Sequence, residues 1–220
     1  MKKFSTYILF ALVAMLTVGL SSCSETDNEQ EEFPDWQATN ESYYDKKYAE
    51  VKSLADGGSA EWKVIRAWSL EEKVATHSYD HILVNVLGEG KGSGCPLYTD
   101  SVKVHYSGRL LPSVSYPGGY EFDKSWSGDF SEDTALPAKF LVSDLVVGFT
   151  TALMHMHIGD KWRVYIPHQL GYGSLTNPGA AYSTLIFDME LVGYYRANST
   201  TKAASSEDSA EQPRGRWIYE

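Results

Sequence analysis

The chain has 2 cysteines in 220 residues, too few for the disulfide framework that staples small secreted domains. Stability must therefore come from a hydrophobic core, and an apolar fraction of 43% with 15 tyrosines and 6 tryptophans provides for one. Basic residues are outnumbered, 19 against 29 acidic, which argues against nucleic acid as a partner. The apolar run "YILFALVAMLTVGL", Tyr7 to Leu20, falls short of the roughly 20 residues that a membrane-spanning helix needs. No serine sits in a G-x-S-x-G elbow, so nucleophilic hydrolysis has no visible seat. No internal repeat appears, and the length suits one well-cored domain with appendages.

What is present begins with a leader. Lys2 and Lys3, the apolar run and "LSSC" follow the order of a secretory signal peptide. The stretch resembles a bacterial lipoprotein signal, in which Leu20, Ser21 and Ser22 precede the cysteine that receives lipid. On that reading residues 1–22 are removed and Cys23 is lipidated; the alternative is an ordinary secretory signal with an incidental cysteine. Cys95 is then the remaining thiol, a bystander in the turn-rich "GKGSGCPLYTD". Losing Lys2 and Lys3 leaves 17 basic against 29 acidic residues, a formal charge of −12. Residues 23–39, opening "CSETDNEQEE", read as an acidic flexible tether. Such acidic stretches resemble export signals of surface lipoproteins. The expected location is the cell envelope of a Gram-negative bacterium, lipid-anchored to the outer membrane, periplasmic or surface-exposed.

Residues 40–77 read as an N-terminal extension. "NESYYDKKYAEVKSLADGG" predicts a short helix that starts at Asn40, carries Tyr44, Tyr48, Val51 and Leu54 at helical spacing and stops at glycines. "EWKVIRAWSLEE" is compatible with strand or helix. Four alternating segments then predict strands: "DHILVNVLG", "DSVKVHYSGRL", "DKWRVYIP" and "STLIFDMELVG". Between the second and third lies a helix, capped by Ser143 or Asp144, with Leu145, Val146, Phe149, Ala152, Leu153 and Met156 as its apolar stripe and Gly159 as its stop. Burying these faces against one another gives an α+β class, a helix packed on an antiparallel sheet. The tail, residues 196–220, is rich in Ser, Ala and charge and is expected to be mostly disordered, with its closing "RWIYE" either docked or free.

In their order, "VKVHYSG", "YEFDKSW", "VVGFTTALMHMHIGDKWRVYIPHQLGYG" and "STLIFDMELVGY" resemble the FKBP-type peptidyl-prolyl cis/trans isomerases over residues 78–195. The resemblance implies a twisted antiparallel sheet wrapped around one short helix, with a helical N-terminal extension. It implies an apolar pocket with Asp123 and Tyr172 as catalytic residues and with Tyr106, Phe122, Phe140, Leu145, Val146, Phe149 and Phe187 as substrate-binding residues. Without it, the apolar members read as ordinary core, whereas Asp123 and Tyr172 carry polar groups that need partners. The implied partners are proline-containing polypeptides and a membrane held through Cys23; no cofactor and no metal are implied.

Three departures from the family pattern lie near the pocket. Phe149 stands where tryptophan is usual; the loop over 177–184, "NPGAAYST", is short, with Tyr182 standing in for the missing apolar contacts; and "LLPSVSYPGGYEFD" is long. They admit an alternative function, a catalytically weak peptide-binding or chaperone module. A metal reading rests on His155, His157 and His168, with no carboxylate or cysteine at ligand spacing in the same stretch. In "MHMHIGD", Met156 and Ile158 are expected to face the core and the two histidines solvent.

Overall fold

The computed structural model describes residues 31–176, 179–197 and 215–219. The leader, Cys23 and most of the tail lie outside them. A helix, α1 (Trp36–Asp56), is followed by strands β1 (Trp62–Arg66), β2 (His81–Gly88), β3 (Ser101–Arg109), β4 (Glu121–Lys124) and β5 (Ala138–Leu141). A second helix, α2 (Val147–Leu153), precedes β6 (Lys161–Ile166), β7 (Leu185–Arg196) and β8 (Arg216–Ile218). The sheet runs β1-β2-β6-β7-β3-β4, with β5 joined to β3 and β8 to β7. Every pairing is antiparallel. The fold is α+β, as expected.

The sheet buries both faces at its β1-β2-β6 end. Ile82 and Val84 join the main core with Phe149, Ala152, Leu153 and Met156, while Leu83, pointing the other way, packs with Tyr44 and Val51 of α1. All three β2 residues have no exposed surface, which is why this strand reads as a continuous apolar run.

Several element bounds depart from the sequence expectation. Helix α1 begins at Trp36, inside the segment read as tether, so Asn40 is an interior helical residue rather than its start. Tertiary contacts explain the earlier onset: Trp36 belongs to the main core and packs edge-on against Phe33, ring centres 4.7 Å apart. The ambiguous "EWKVIRAW" is a strand paired with β2. Ser143 and Asp144 do not cap α2; they lie in a separate 3-10 turn, Val142–Asp144, and the helix begins after Val146 without a side-chain cap. The Thr150 hydroxyl donates to the Val142 carbonyl at 2.8 Å and ties that turn onto the helix. The helix ends at Leu153, and Gly159, at φ 89°, closes a later turn.

The "MHMHIGD" stretch follows its expected facing: Met156 and Ile158 are buried, His155 and His157 exposed. One point is corrected: Asp160 does lie beside His157, its Oδ2 3.7 Å from Nδ1. That carboxylate accepts the backbone N–H groups of Gly90 (2.7 Å) and His157 (2.8 Å), so it serves the turn. At the C-terminal end "RWI" docks as β8, where a side chain on Gly193 would come within 2.6 Å of the Ile218 carbonyl oxygen.

Gly148, inside α2, tests this packing. Alanine there would ordinarily favour a helix by up to about 1 kcal/mol, but its Cβ would lie 2.3 Å from Ile166 Cγ2. Gly148→Ala is therefore expected to destabilise the protein, by roughly 1–3 kcal/mol as for other overpacked cores. A denaturant titration against wild type reads the sign.

Candidate functional site

The strand β3 shares one of its edges between two partners. Ser101 to Val104 pair with β5, and Ser107 to Arg109 pair with β4. Between them the backbone of Tyr106 is served by Ser125: the Tyr106 N–H donates to Ser125 Oγ at 3.1 Å, and the Ser125 N–H donates to the Tyr106 carbonyl at 2.9 Å. Both backbone polar groups of Tyr106 are paired at the break. The side chain of Tyr106 thus stands between β4 and β5, facing the same core as α2.

A cavity of about 170 Å³ opens there, lined by Tyr106, Asp123, Phe140, Asp144, Leu145, Val146, Phe149, Tyr172 and Phe187. Drug-sized ligand pockets run to roughly 300–1,000 Å³, so this one suits a single small ring. Phe149 stands perpendicular to two of the aromatic walls, meeting Phe187 at 5.0 Å and 88° and Tyr106 at 5.8 Å and 90°, while Tyr106 and Phe187 are tilted at 53° to each other. Phe140 closes on Tyr106 at 5.6 Å. The two edge-to-face contacts of Phe149 hold the rings apart and keep the space between them open.

Two hydroxyls, of Tyr106 and Tyr172, and two carboxylates, of Asp123 and Asp144, stand in this apolar setting. The Tyr106 hydroxyl donates to Asp123 Oδ2 at 2.6 Å, while Asp123 itself is exposed. Burial first, and then the bond to Asp123, push the Tyr106 hydroxyl's pKa well above the usual 10.0. The Tyr172 hydroxyl is raised too, by burial and by the charge of Asp123. Both phenols remain neutral donors at physiological pH.

Of the residues expected at the site, the structure brings Tyr106, Asp123, Phe140, Leu145, Val146, Phe149, Tyr172 and Phe187 to the cavity. Phe122 is not on its wall. Its ring packs edge-on against Phe187 at 5.5 Å and beside Gly108, within the same core. Nor does Tyr182 supply an apolar rim: at φ 59° it turns onto His168, ring centres 5.3 Å apart.

Sequence reasoning passed over Asp144, which joins the lining, and Gly108. Gly108 pairs with Phe187, and a Cβ there would lie 2.5 Å from Phe187 Cε1 and 2.7 Å from Phe122 Cζ. Its available signal was a glycine inside a strand, which marks a close approach. Among the described residues no group of three or more His, Cys, Asp or Glu side chains is placed to hold a metal ion.

Comparison with known proteins bears on residues 95–192, which match the family model described as FKBP-type peptidyl-prolyl cis-trans isomerase. The chain is 36% identical over 110 residues to the FKBP-type 22 kDa peptidyl-prolyl cis-trans isomerase of Escherichia coli strain K12, covering 49% of this chain and 47% of that protein. It is 31% identical over 145 residues to the FKBP-type peptidyl-prolyl cis-trans isomerase FkpA of the same strain, covering 66% of this chain and 49% of that protein. A third relative, the outer membrane protein MIP of Legionella longbeachae, is 32% identical over 114 residues, covering 51% of this chain and 43% of that protein. The chain spans about half the length of the curated relatives it matches.

The raised Tyr106 gives a pH prediction. A phenol held neutral in the folded state stabilises below the unfolded value of 10.0, and that contribution is lost as pH rises towards the folded-state value. The stability advantage of wild type over Tyr106→Phe is expected to be full at neutral pH and to shrink above about pH 10. Paired denaturant titrations across that range measure it.

Proposed function

We propose that residues 95–192, a domain of the FKBP-type peptidyl-prolyl cis-trans isomerase family, rotate Xaa-Pro amides of polypeptides in the cavity beside Tyr106. The observation that carries this reading is a small, aromatic-walled cavity whose lining includes the carboxylates of Asp123 and Asp144 and the hydroxyls of Tyr106 and Tyr172.

The chemistry suits such a site. Resonance gives the prolyl amide partial double-bond character, and rotation faces a barrier of about 18–20 kcal/mol. In the twisted transition state the resonance is lost and the carbonyl carries less charge than in the planar ground state. Water stabilises the planar form more, so an apolar wall that replaces water favours the twisted one. No covalent bond forms or breaks, and the reaction requires no nucleophile.

Within this proposal Phe149 is the floor under the proline ring, and Tyr106, Phe140 and Phe187 are walls. The backbone amide of Val146 and the hydroxyl of Tyr172 bind substrate carbonyls, as the family pattern implies. Asp123 has two roles: it holds the Tyr106 hydroxyl, and its charge faces the rotating amide. Leu145 completes the apolar lining. The domain boundaries proposed for the chain are 78–195 for the isomerase and, moved from 40 to take in the whole of α1, 36–77 for the extension.

A second reading, a peptide-binding or chaperone module with weak catalysis, draws on two features. Phe149 offers a smaller face than tryptophan, and Tyr182 leaves the rim for His168.

The proposed setting is the Gram-negative cell envelope, with a lipid on Cys23 anchoring the protein to the outer membrane. The leader sequence supports it, as does one relative's name, outer membrane protein MIP. Exported and envelope proteins are then the proposed folding clients.

Two experiments test these readings. Full-length protein is expected to speed cis/trans exchange of a proline tetrapeptide, and Asp123→Ala or Tyr172→Phe to slow it with unchanged far-ultraviolet circular dichroism; a chelator leaves the rate unaltered. A wild-type rate equal to the uncatalysed one would replace the enzyme by the binding module. For the anchor, Cys23→Ala is expected to move the protein from the membrane pellet to the soluble envelope fraction. If the variant stays in the pellet, the lipid anchor is wrong.

A further inference from the structure

Helix α1 lies outside residues 95–192, yet its stripe Trp36, Asn40, Tyr44 is buried. Asn40 has no exposed surface. Its Oδ1 accepts the Thr184 N–H at 2.7 Å, and its Nδ2 donates to the Trp36 carbonyl at 2.8 Å. Trp36 Nε1–H donates to Ser183 Oγ at 2.7 Å, and that hydroxyl donates to the Ala180 carbonyl at 2.7 Å. Neighbouring Glu41 places Oε1 3.3 Å from His168 Nε2.

These bonds converge on two segments that carry cavity residues. Ser183 and Thr184 immediately precede β7, which holds Phe187. His168 opens the loop of Tyr172, and its carbonyl accepts the Gly173 N–H at 2.9 Å. The segments are also joined to each other, because the Tyr182 N–H donates to the Gly173 carbonyl at 2.7 Å while the Tyr182 ring packs on His168. Tyr182 holds a left-handed backbone, φ 59°, which costs a non-glycine residue on the order of 1 kcal/mol and persists only where surrounding contacts impose it.

We infer that α1 is a positioning element for the isomerase cavity: Asn40 and Trp36 hold the 179–184 strap from behind and thereby set Phe187 and the Tyr172 loop at the spacing the proline substrate needs. The inference rests on the isomerase reading above. It assigns Asn40 and Trp36 as positioning residues, remote from the reacting amide. Loss of the Asn40 side chain leaves the Thr184 N–H buried without its acceptor, so the strap must move to find another.

Tyr44 supplies the control. It lies on the same stripe, but its hydroxyl donates to the His81 carbonyl at 2.8 Å, holding the helix to β2 and not to the strap. The experiment compares full-length wild type, Asn40→Ala, Trp36→Phe and Tyr44→Phe, measuring the melting midpoint and kcat/KM on a proline tetrapeptide well below the lowest midpoint. Asn40→Ala and Trp36→Phe are expected to lower kcat/KM by roughly 5- to 30-fold, and Tyr44→Phe to lower the midpoint while keeping kcat/KM close to wild type. Ser183→Ala combined with Trp36→Phe is expected to lose no more activity than the worse single variant, since both remove the same Trp36–Ser183 bond. An active wild type whose kcat/KM falls equally in Asn40→Ala and Tyr44→Phe, or in neither, overturns the inference and leaves the isomerase reading standing. If wild type is inactive, the isomerase reading falls and the same comparison passes to the dissociation constant of the peptide. Weaker binding in Asn40→Ala but not in Tyr44→Phe then supports the inference, and equal binding in both overturns it. A wild type that neither catalyses nor binds overturns both.

Discussion

The site depends on the break in pairing along one edge of β3. A strand continuously paired on that edge would carry a regular row of neighbours past Tyr106. Here β5 stops at Val104 and β4 starts at Ser107, while Ser125 takes up the backbone groups of Tyr106 between them. The break therefore leaves no orphaned polar group at Tyr106. It places Asp123 from β4 on one side of Tyr106 and Phe140 from β5 on the other. The floor comes from α2 and the far wall from β7, so four elements meet at one side chain.

Room within that meeting comes from what is missing. Gly108 removes one side chain opposite Phe187 and lets the Phe187 and Phe122 rings occupy its place. The perpendicular contacts of Phe149 with Phe187 and with Tyr106 then prevent the collapse that flat stacking would allow. In this setting hydroxyl groups stay neutral and a carboxylate is tolerated only at the solvent margin, where Asp123 is found.

The second layer matters as much as the first. Burial of β2 on both faces requires a partner for Leu83, and α1 supplies it through Tyr44 and Val51. Once docked for that apolar reason, the helix brings Trp36 and Asn40 to the segment ahead of β7, where their polar groups find partners in Ser183 and Thr184. Core packing and strap geometry are thus coupled through one helix.

Much of this was legible in the chain. Alternation marked β2, β3, β6 and β7, and the apolar stripe of Phe149, Ala152, Leu153 and Met156 marked the helix that packs on them. The histidines of "MHMHIGD" were readable as outward-facing because the residues between them belonged to the core. Eight of the nine expected cavity residues meet at one place, since motif order carries the order of strands. Periodicity and burial are local properties of a sequence, and they determined the α+β class and the identity of the core. Tertiary structure alone decided that Phe122 packs on Phe187 and stays off the cavity wall, why Asn40 is an interior bridge and not a cap, and where Tyr182 turns. Those outcomes depend on contacts between residues apart in the chain: Asn40 with Thr184 across 144 positions, Phe122 with Phe187, and Tyr182 with His168. No local pattern encodes a partner that only the folded chain brings near.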